Sequence, residues 1–193
     1  LDFGDPFQLL VATILSAQST DVRVNLVTPA LFAAYPDPAA LAAADPEDVE
    51  ELIRSTGFFR AKAKSLIGMA AAVSERFGGQ VPAALDDLVT IPGVGRKTGN
   101  VVRSVAFGLP GLPVDTHVLR VSERLGLTEE LPAAARRDAV KVEQVLDGYI
   151  PAAERGPFSL RMILHGRETC SARRPHCESC PLADFCPSAR LPA

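Results

Sequence analysis

The sequence predicts an all-α fold made of many short helices, on three observations. No segment alternates apolar and polar residues as a half-buried strand does. Helix starts are marked by three Asp-Pro pairs, Asp5-Pro6, Asp37-Pro38 and Asp45-Pro46. In each, the carboxylate can accept from orphan amides, and proline sits at the first helical position, where its missing N–H costs nothing. Helix stops are marked by Tyr35-Pro36, Gly57, Gly78-Gly79, Gly108 and Gly126, glycine suiting the left-handed C-terminal position. Taken in order, these signals place helices near 6–18, 21–34, 38–44, 46–55, 59–77, 84–90, 95–107, 115–125, 133–148 and 156–169. A compact cysteine loop over 170–186 follows. There is no internal repeat and no low-complexity linker, and Gly108–Pro113 (GLPGLP) is where the chain is expected to cross between two lobes.

At 193 residues, 47% hydrophobic and 22% charged, the composition is that of a soluble globular protein able to build one large domain or two small lobes. The longest apolar run, Phe7–Leu15, is broken by Gln8 and Thr13 and is far too short to span a membrane. The sequence opens at Leu1 without a basic-then-apolar leader, and the expectation is an intracellular, cytoplasmic protein. A net charge of −3 speaks, taken alone, against a nucleic-acid partner. Its distribution is uneven: residues 1–90 carry net −6, 91–127 net +3, 128–160 net −2 and 161–193 net +2. The two positive blocks coincide with the two motif regions below, although scatter over solvated helices would give the same counts.

The first motif is Ile91-Pro92-Gly93-Val94-Gly95-Arg96-Lys97-Thr98-Gly99-Asn100. Proline ends one helix, Gly93 and Gly95 permit a tight turn, and the next helix begins at once. Successive amides then point outward at a helix start, where the dipole also favours an anion such as a DNA phosphate. A plain helix–helix turn is the competing explanation. Lys97 lies in the first turn of the new helix beside Arg96. A positive field favours the neutral form of an amine, which is the form that attacks carbon, whereas a solvated or phosphate-contacting lysine is the ordinary alternative.

The second motif, Val114-Asp115-Thr116-His117-Val118, follows the proline-rich turn and opens a helix closing at Gly126. Asp115 makes a good N-cap there. The same fixed carboxylate could stabilise positive charge building on a sugar ring as its base departs. His117 reads as a structural histidine.

The third motif gathers all four cysteines, Cys170, Cys177, Cys180 and Cys186, in the pattern C-x6-C-x2-C-x5-C. Four thiolates converging from a short irregular loop are the usual ligand set of a [4Fe–4S] cluster. Zinc commonly pairs two C-x2–4-C knuckles and only one is present, while disulfides need an oxidising compartment. Arg173 and Arg174 lie between the first two ligands, with Arg167 just before Cys170. A loop pinned at both ends by a cluster would present these arginines to backbone phosphates at low entropic cost. A solvated basic loop is the other reading.

Together IPGVGRKTGN, VDTHVLRV, ILHGRETC and the cysteine loop closely resemble the endonuclease III family, bifunctional DNA glycosylases of the helix–hairpin–helix superfamily. The opening LLVATILSAQSTD is similar to that family's first core helix, so the resemblance runs along essentially the whole chain. It implies a two-lobed all-α fold: a helical barrel lobe over 1–109 bearing the hairpin, and a cluster lobe over 110–193, with DNA in the cleft. By motif match, Lys97 falls on the family's nucleophile, Asp115 on its catalytic aspartate, and the four cysteines on its cluster ligands. Gln18 matches a residue that fills the gap left by a flipped base, and also reads as an exposed glutamine at a helix end. Asp21 matches a pocket-side residue, and also reads as the N-cap of the second helix.

Three departures stand out. The family usually carries a further helix before its first core helix, packed on the cluster lobe; this sequence starts after that point, so either that helix lies upstream or this member lacks it. In TGFFRAKA, Phe58 stands where the family is expected to have a leucine that wedges between bases. Phenylalanine intercalates in other DNA benders, but Phe58 could equally pack under the turn after Gly57. The region 128–137 is longer than usual for the family and has no functional reading.

The implied activity is removal of oxidised or damaged pyrimidines from duplex DNA by a monomer, coupled to strand cutting through a Lys97 Schiff base. A monofunctional relative of the adenine DNA glycosylase type shares hairpin, aspartate and cluster, but generally lacks lysine at the Lys97 position. A non-catalytic DNA-binding iron–sulfur protein would leave abasic DNA uncut.

Overall fold

The computed structural model describes residues 1–190, and among these every regular element is a helix or a helical turn. The chain divides into two compact units, Leu1–Leu109 and Pro110–Ala193, each with its own core. None of the described helices is long and apolar enough to cross a membrane.

The first unit holds α1 (Pro6–Leu15), α2 (Asp21–Ala34), α3 (Pro38–Ala42), α4 (Pro46–Ile53), α5 (Phe59–Phe77), α6 (Leu85–Leu88) and α7 (Arg96–Ala106), with a 3-10 turn over Arg54–Thr56. The Asp-Pro starts form as anticipated: Asp5, Asp37 and Asp45 accept from the amides of Gln8, Ala40 and Glu47, each at 2.8 Å. The stop after α5 is Gly78, with φ 60°, and the next amide returns to the Val73 carbonyl at 3.0 Å. At the centre lies α1, whose Leu9, Leu10, Val11, Ala12 and Leu15 are all buried against α2, α5 and α7. Burying each of the three leucines contributes about 1.5–3 kcal/mol, which fixes α1 as the floor on which the hairpin and α5 are laid.

Two expectations for this unit need correction. The first helix was expected to reach residue 18 but ends at Leu15. There Thr13 Oγ1 donates to Leu9 O and Ser16 Oγ to Thr13 O, and Gln18 takes a left-handed φ of 53°. Thr20, not Asp21, caps α2: its hydroxyl accepts from the Arg23 amide at 3.2 Å, leaving Asp21 in the first turn.

The second unit packs α8 (Thr116–Arg124), α9 (Ala139–Tyr149) and α10 (Arg155–Glu168) around Leu112, Val118, Val121, Val142, Leu146 and Met162. At Gly166 an added Cβ would lie 2.9 Å from His117 Cβ, so only glycine allows α10 this close to α8. The helix expected over 133–148 begins later, at Ala139. Asp138 caps it through the Val140 and Lys141 amides, and 135–137 tightens into a 3-10 turn. Arg136 holds that turn by donating to the carbonyls of Leu131 and Glu129. The remaining helix ends differ from expectation by only one to two residues.

Candidate functional site

In the first unit the glycine hairpin is keyed into the core by Ile91 and Val94, 2% and 5% exposed. Val94 N donates back to Ile91 O at 3.0 Å, closing the turn. Gly93 has φ 78°, and a Cβ there would lie 2.9 Å from Ser65 Cβ, so the turn is pressed against α5. Gly95 differs. It is the N-cap of α7 with an ordinary φ of −82°, it provides no side-chain cap, and a Cβ there would meet nothing within 4 Å. The hairpin therefore needs Gly93 for its fold, while the outer face at Gly95 is left bare. Lys97 is exposed in the first turn of α7, and Arg96 beside it is half-buried.

A groove of about 320 Å³ in this unit is lined by Thr13, Gln18, Phe58, Lys62, Gly93 and Thr98 among others. It brings Gln18, Phe58 and the hairpin together on one surface. Gln18 and Phe58 are the two non-glycine residues with positive φ among the described residues, at 53° and 49°. Phe58 is 67% exposed and does not pack under the turn after Gly57. Lys62 was not singled out by its sequence context. It is 6% exposed, and its Nζ donates to the carbonyls of Leu15 and Thr56, both at 2.8 Å. Desolvation pushes its pKa below the ordinary lysine value.

In the second unit Asp115 is the N-cap of α8. It accepts from the amides of His117 and Val118 at 2.8 and 3.0 Å, both through Oδ1. His117 Nδ1 lies 3.1 Å from Arg120 Nη2, consistent with a structural histidine. Two arginines one turn apart on α8 brace the start of the cysteine loop, a contact between residues too far apart in the chain for the local sequence to reveal. Arg120 donates to the carbonyls of Gly166 and Cys170. Arg124 donates to Cys170 Sγ at 3.1 Å and to the carbonyls of Ser171 and Ala172 at 2.8 Å each.

All four cysteines are free and half-buried. Cys186 Sγ lies 3.2 Å from the Arg124 carbonyl, so the first and last cysteines of the loop meet at one residue. Cys180 Sγ is 3.7 Å from His165 Nε2. Among the described residues no group of three or more His, Cys, Asp or Glu is placed to hold a metal ion. Four unpaired thiols on one irregular loop, with an arginine donating to one sulfur, suit an anionic iron–sulfur cluster, whose ligands are cysteine thiolates. Arg173 and Arg174 stand exposed on the same loop, and Ser171 Oγ donates to the Arg174 carbonyl at 2.6 Å.

Comparison with known proteins bears on both units. Residues 11–144 match the profile of the HhH-GPD superfamily base excision DNA repair protein, and residues 170–186 that of the iron–sulfur binding domain of endonuclease III. The endonuclease III of Synechocystis sp. is 53% identical over 191 residues, covering 98% of this chain and 84% of that relative. The chain belongs to the endonuclease III family. The Escherichia coli K12 endonuclease III is 41% identical, covering 96% of this chain and 85% of that one. Two solved structures are similar along 98% of the chain and 86% of their own. One is a non-covalent endonuclease III–DNA complex, 43% identical with TM-score 0.87. The other is a trapped endonuclease III–DNA covalent intermediate, 44% identical with TM-score 0.88. As in that family, the cofactor is a [4Fe–4S] cluster, and the matched iron–sulfur segment starts at Cys170 and ends at Cys186.

Proposed function

We propose that this endonuclease III family member excises oxidised or otherwise damaged pyrimidines from duplex DNA and then cuts the strand at the abasic site, acting as a monomer in the cytoplasm. The observation that carries the proposal is Lys97, exposed in the first turn behind a glycine hairpin. It does so in a chain related at 44% identity to an endonuclease III solved as a trapped covalent DNA intermediate.

In this proposal the first unit is the barrel lobe, and its hairpin binds one backbone phosphate. The open face at Gly95 lets the phosphate approach the opening amides of α7, with Arg96 beside them. Gln18 and Phe58, exposed on the same surface, enter the duplex where the damaged base has left the stack. Damaged bases pair and stack poorly, so extruding them costs less, which supplies part of the selectivity.

The neutral amine of Lys97 attacks C1′ of the sugar. The C1′–N glycosidic bond breaks, and the base departs with the bonding pair and takes up a proton. Asp115, with Oδ1 committed to its helix cap, stabilises the positive charge that develops on the sugar. The ring C1′–O4′ bond then opens, its electron pair and the second amine proton going to O4′ as a hydroxyl, which leaves an imine between Lys97 and C1′. The imine acidifies the 2′ hydrogen; loss of that proton expels the 3′ phosphate, which cuts the strand on the 3′ side. Water then hydrolyses the imine and restores the amine.

The second unit is the cluster lobe, and Cys170, Cys177, Cys180 and Cys186 would hold the [4Fe–4S] cluster. A bound cluster supplies four iron–sulfur bonds that cross-link the loop. With Arg120 and Arg124 bracing its start, the loop presents Arg173 and Arg174 to DNA phosphates.

Duplexes carrying a single thymine glycol test the proposal. Free base and a 3′ cut should appear together. Base release without cutting would favour the monofunctional reading, and neither product would favour a DNA-binding protein without catalysis.

A further inference from the structure

Lys62 is the one buried lysine among the described residues, and it lies outside the chemistry above. Its ammonium sits where three pieces of the first unit converge. One bond goes to Leu15 O, the last residue of α1, whose carbonyl the ended helix leaves without an amide partner of its own. The other goes to Thr56 O, the end of the 3-10 turn leading into α5. Three residues after Leu15 comes Gln18, and two residues after Thr56 comes Phe58. Among the described residues these are the two non-glycine residues held at positive φ, and both line the same groove as Lys62. The hairpin joins at the same junction, because the Cβ position of Gly93 is 2.9 Å from Ser65 Cβ and 3.7 Å from Ile14 Cδ1.

A left-handed glutamine or phenylalanine persists only where its surroundings hold it. Here one cation ties together the two segments that end in those residues. We infer that Lys62 is a positioning residue: its paired bonds to Leu15 O and Thr56 O hold Gln18 and Phe58 at the spacing with which they enter the duplex beside an extruded base. Carbonyl oxygens suit this task better than a carboxylate. They belong to the backbone, so a bond to them fixes the main chain of each segment rather than a side chain. Burial keeps water from competing for either bond.

The inference rests on the glycosylase reading and on insertion by Gln18 and Phe58, and the test separates the three. Single-turnover excision is measured on a duplex with one thymine glycol, and the rise in fluorescence of a neighbouring 2-aminopurine reports unstacking. Gln18→Ala combined with Phe58→Ala should depress both signals; if it changes neither, the insertion reading is wrong. Lys62→Met in the native background should slow excision by about 10²-fold, the scale of a misplaced positioning group, and abolish most of the fluorescence rise. In the Gln18→Ala, Phe58→Ala background the same substitution should change excision by no more than about twofold, because its effect passes through those two residues. Lys62→Gln keeps an N–H donor and should fall between, and where Lys62→Met does not fold the cycle is run with Lys62→Gln. Effects that multiply across the two backgrounds, or an undiminished fluorescence rise in the Lys62 variant, would overturn the assignment.

Discussion

In an Asp115→Asn variant the side chain keeps an oxygen that can accept from the His117 and Val118 amides, but its negative charge is gone. Asparagine and aspartate cap helices about equally well, so the cost to stability is the lost interaction with the α8 dipole, about 0.3–1 kcal/mol. Asp115→Ala loses the cap as well, a further penalty of about 1 kcal/mol. For a chain of 193 residues each kcal/mol lowers Tm by about 2–4 °C. The alanine variant should therefore melt clearly below the asparagine variant, and the asparagine variant only slightly below the native protein. Base release should not follow that order. If the carboxylate stabilises developing charge on the sugar, both variants lose about 10²–10⁴-fold in the rate of base release while still binding the duplex. The assay is single-turnover excision with enzyme in excess, alongside thermal melts and a binding isotherm at fixed salt. An asparagine variant that excises at the native rate, or whose loss merely tracks its melting temperature, would leave Asp115 as a helix cap and nothing more.

The two hairpin glycines should respond in opposite ways. Gly93→Ala meets Ser65 at 2.9 Å with φ 78° and should destabilise the first unit by about 1–3 kcal/mol in urea unfolding. Gly95→Ala meets open space and should melt near the native temperature, yet bind duplex DNA more weakly because the added methyl stands where a phosphate would approach. Replacing Arg173 and Arg174 together by alanine should weaken binding about equally across sequences and reduce the log–log salt slope by about 1.8. Cys177→Ser should deplete the broad visible absorption of the iron–sulfur cluster, and full retention of that band would remove Cys177 from the ligand set.

How much of this was legible in the sequence depends on how local the controlling interaction is. Asp5, Asp37 and Asp45 cap through amides two or three residues on, and that spacing is written in the chain. Thr20 and Asp21 are neighbours with similar capping chemistry, and choosing between them depends on where the backbone turns. Residues 133–137 read as continuous with the helix that follows, because alanine and arginine favour it. What stops it is Asp138 capping the next helix and Arg136 folding back on two carbonyls. The hairpin, the capping aspartate and the cysteine loop were legible because each is a contiguous motif. Lys62 was not, since one of its partners is a backbone carbonyl 47 residues away. Nor was the left-handed geometry of Gln18 and Phe58, which side-chain identity alone does not encode.

The most direct measurement is reduction with borohydride during reaction with damaged duplex DNA, followed by mapping of the modified residue by mass spectrometry. A covalent protein–DNA adduct should form on Lys97 and disappear in Lys97→Ala. An adduct that survives this substitution, or that maps to another amine, would show that the strand is cut by a different nucleophile.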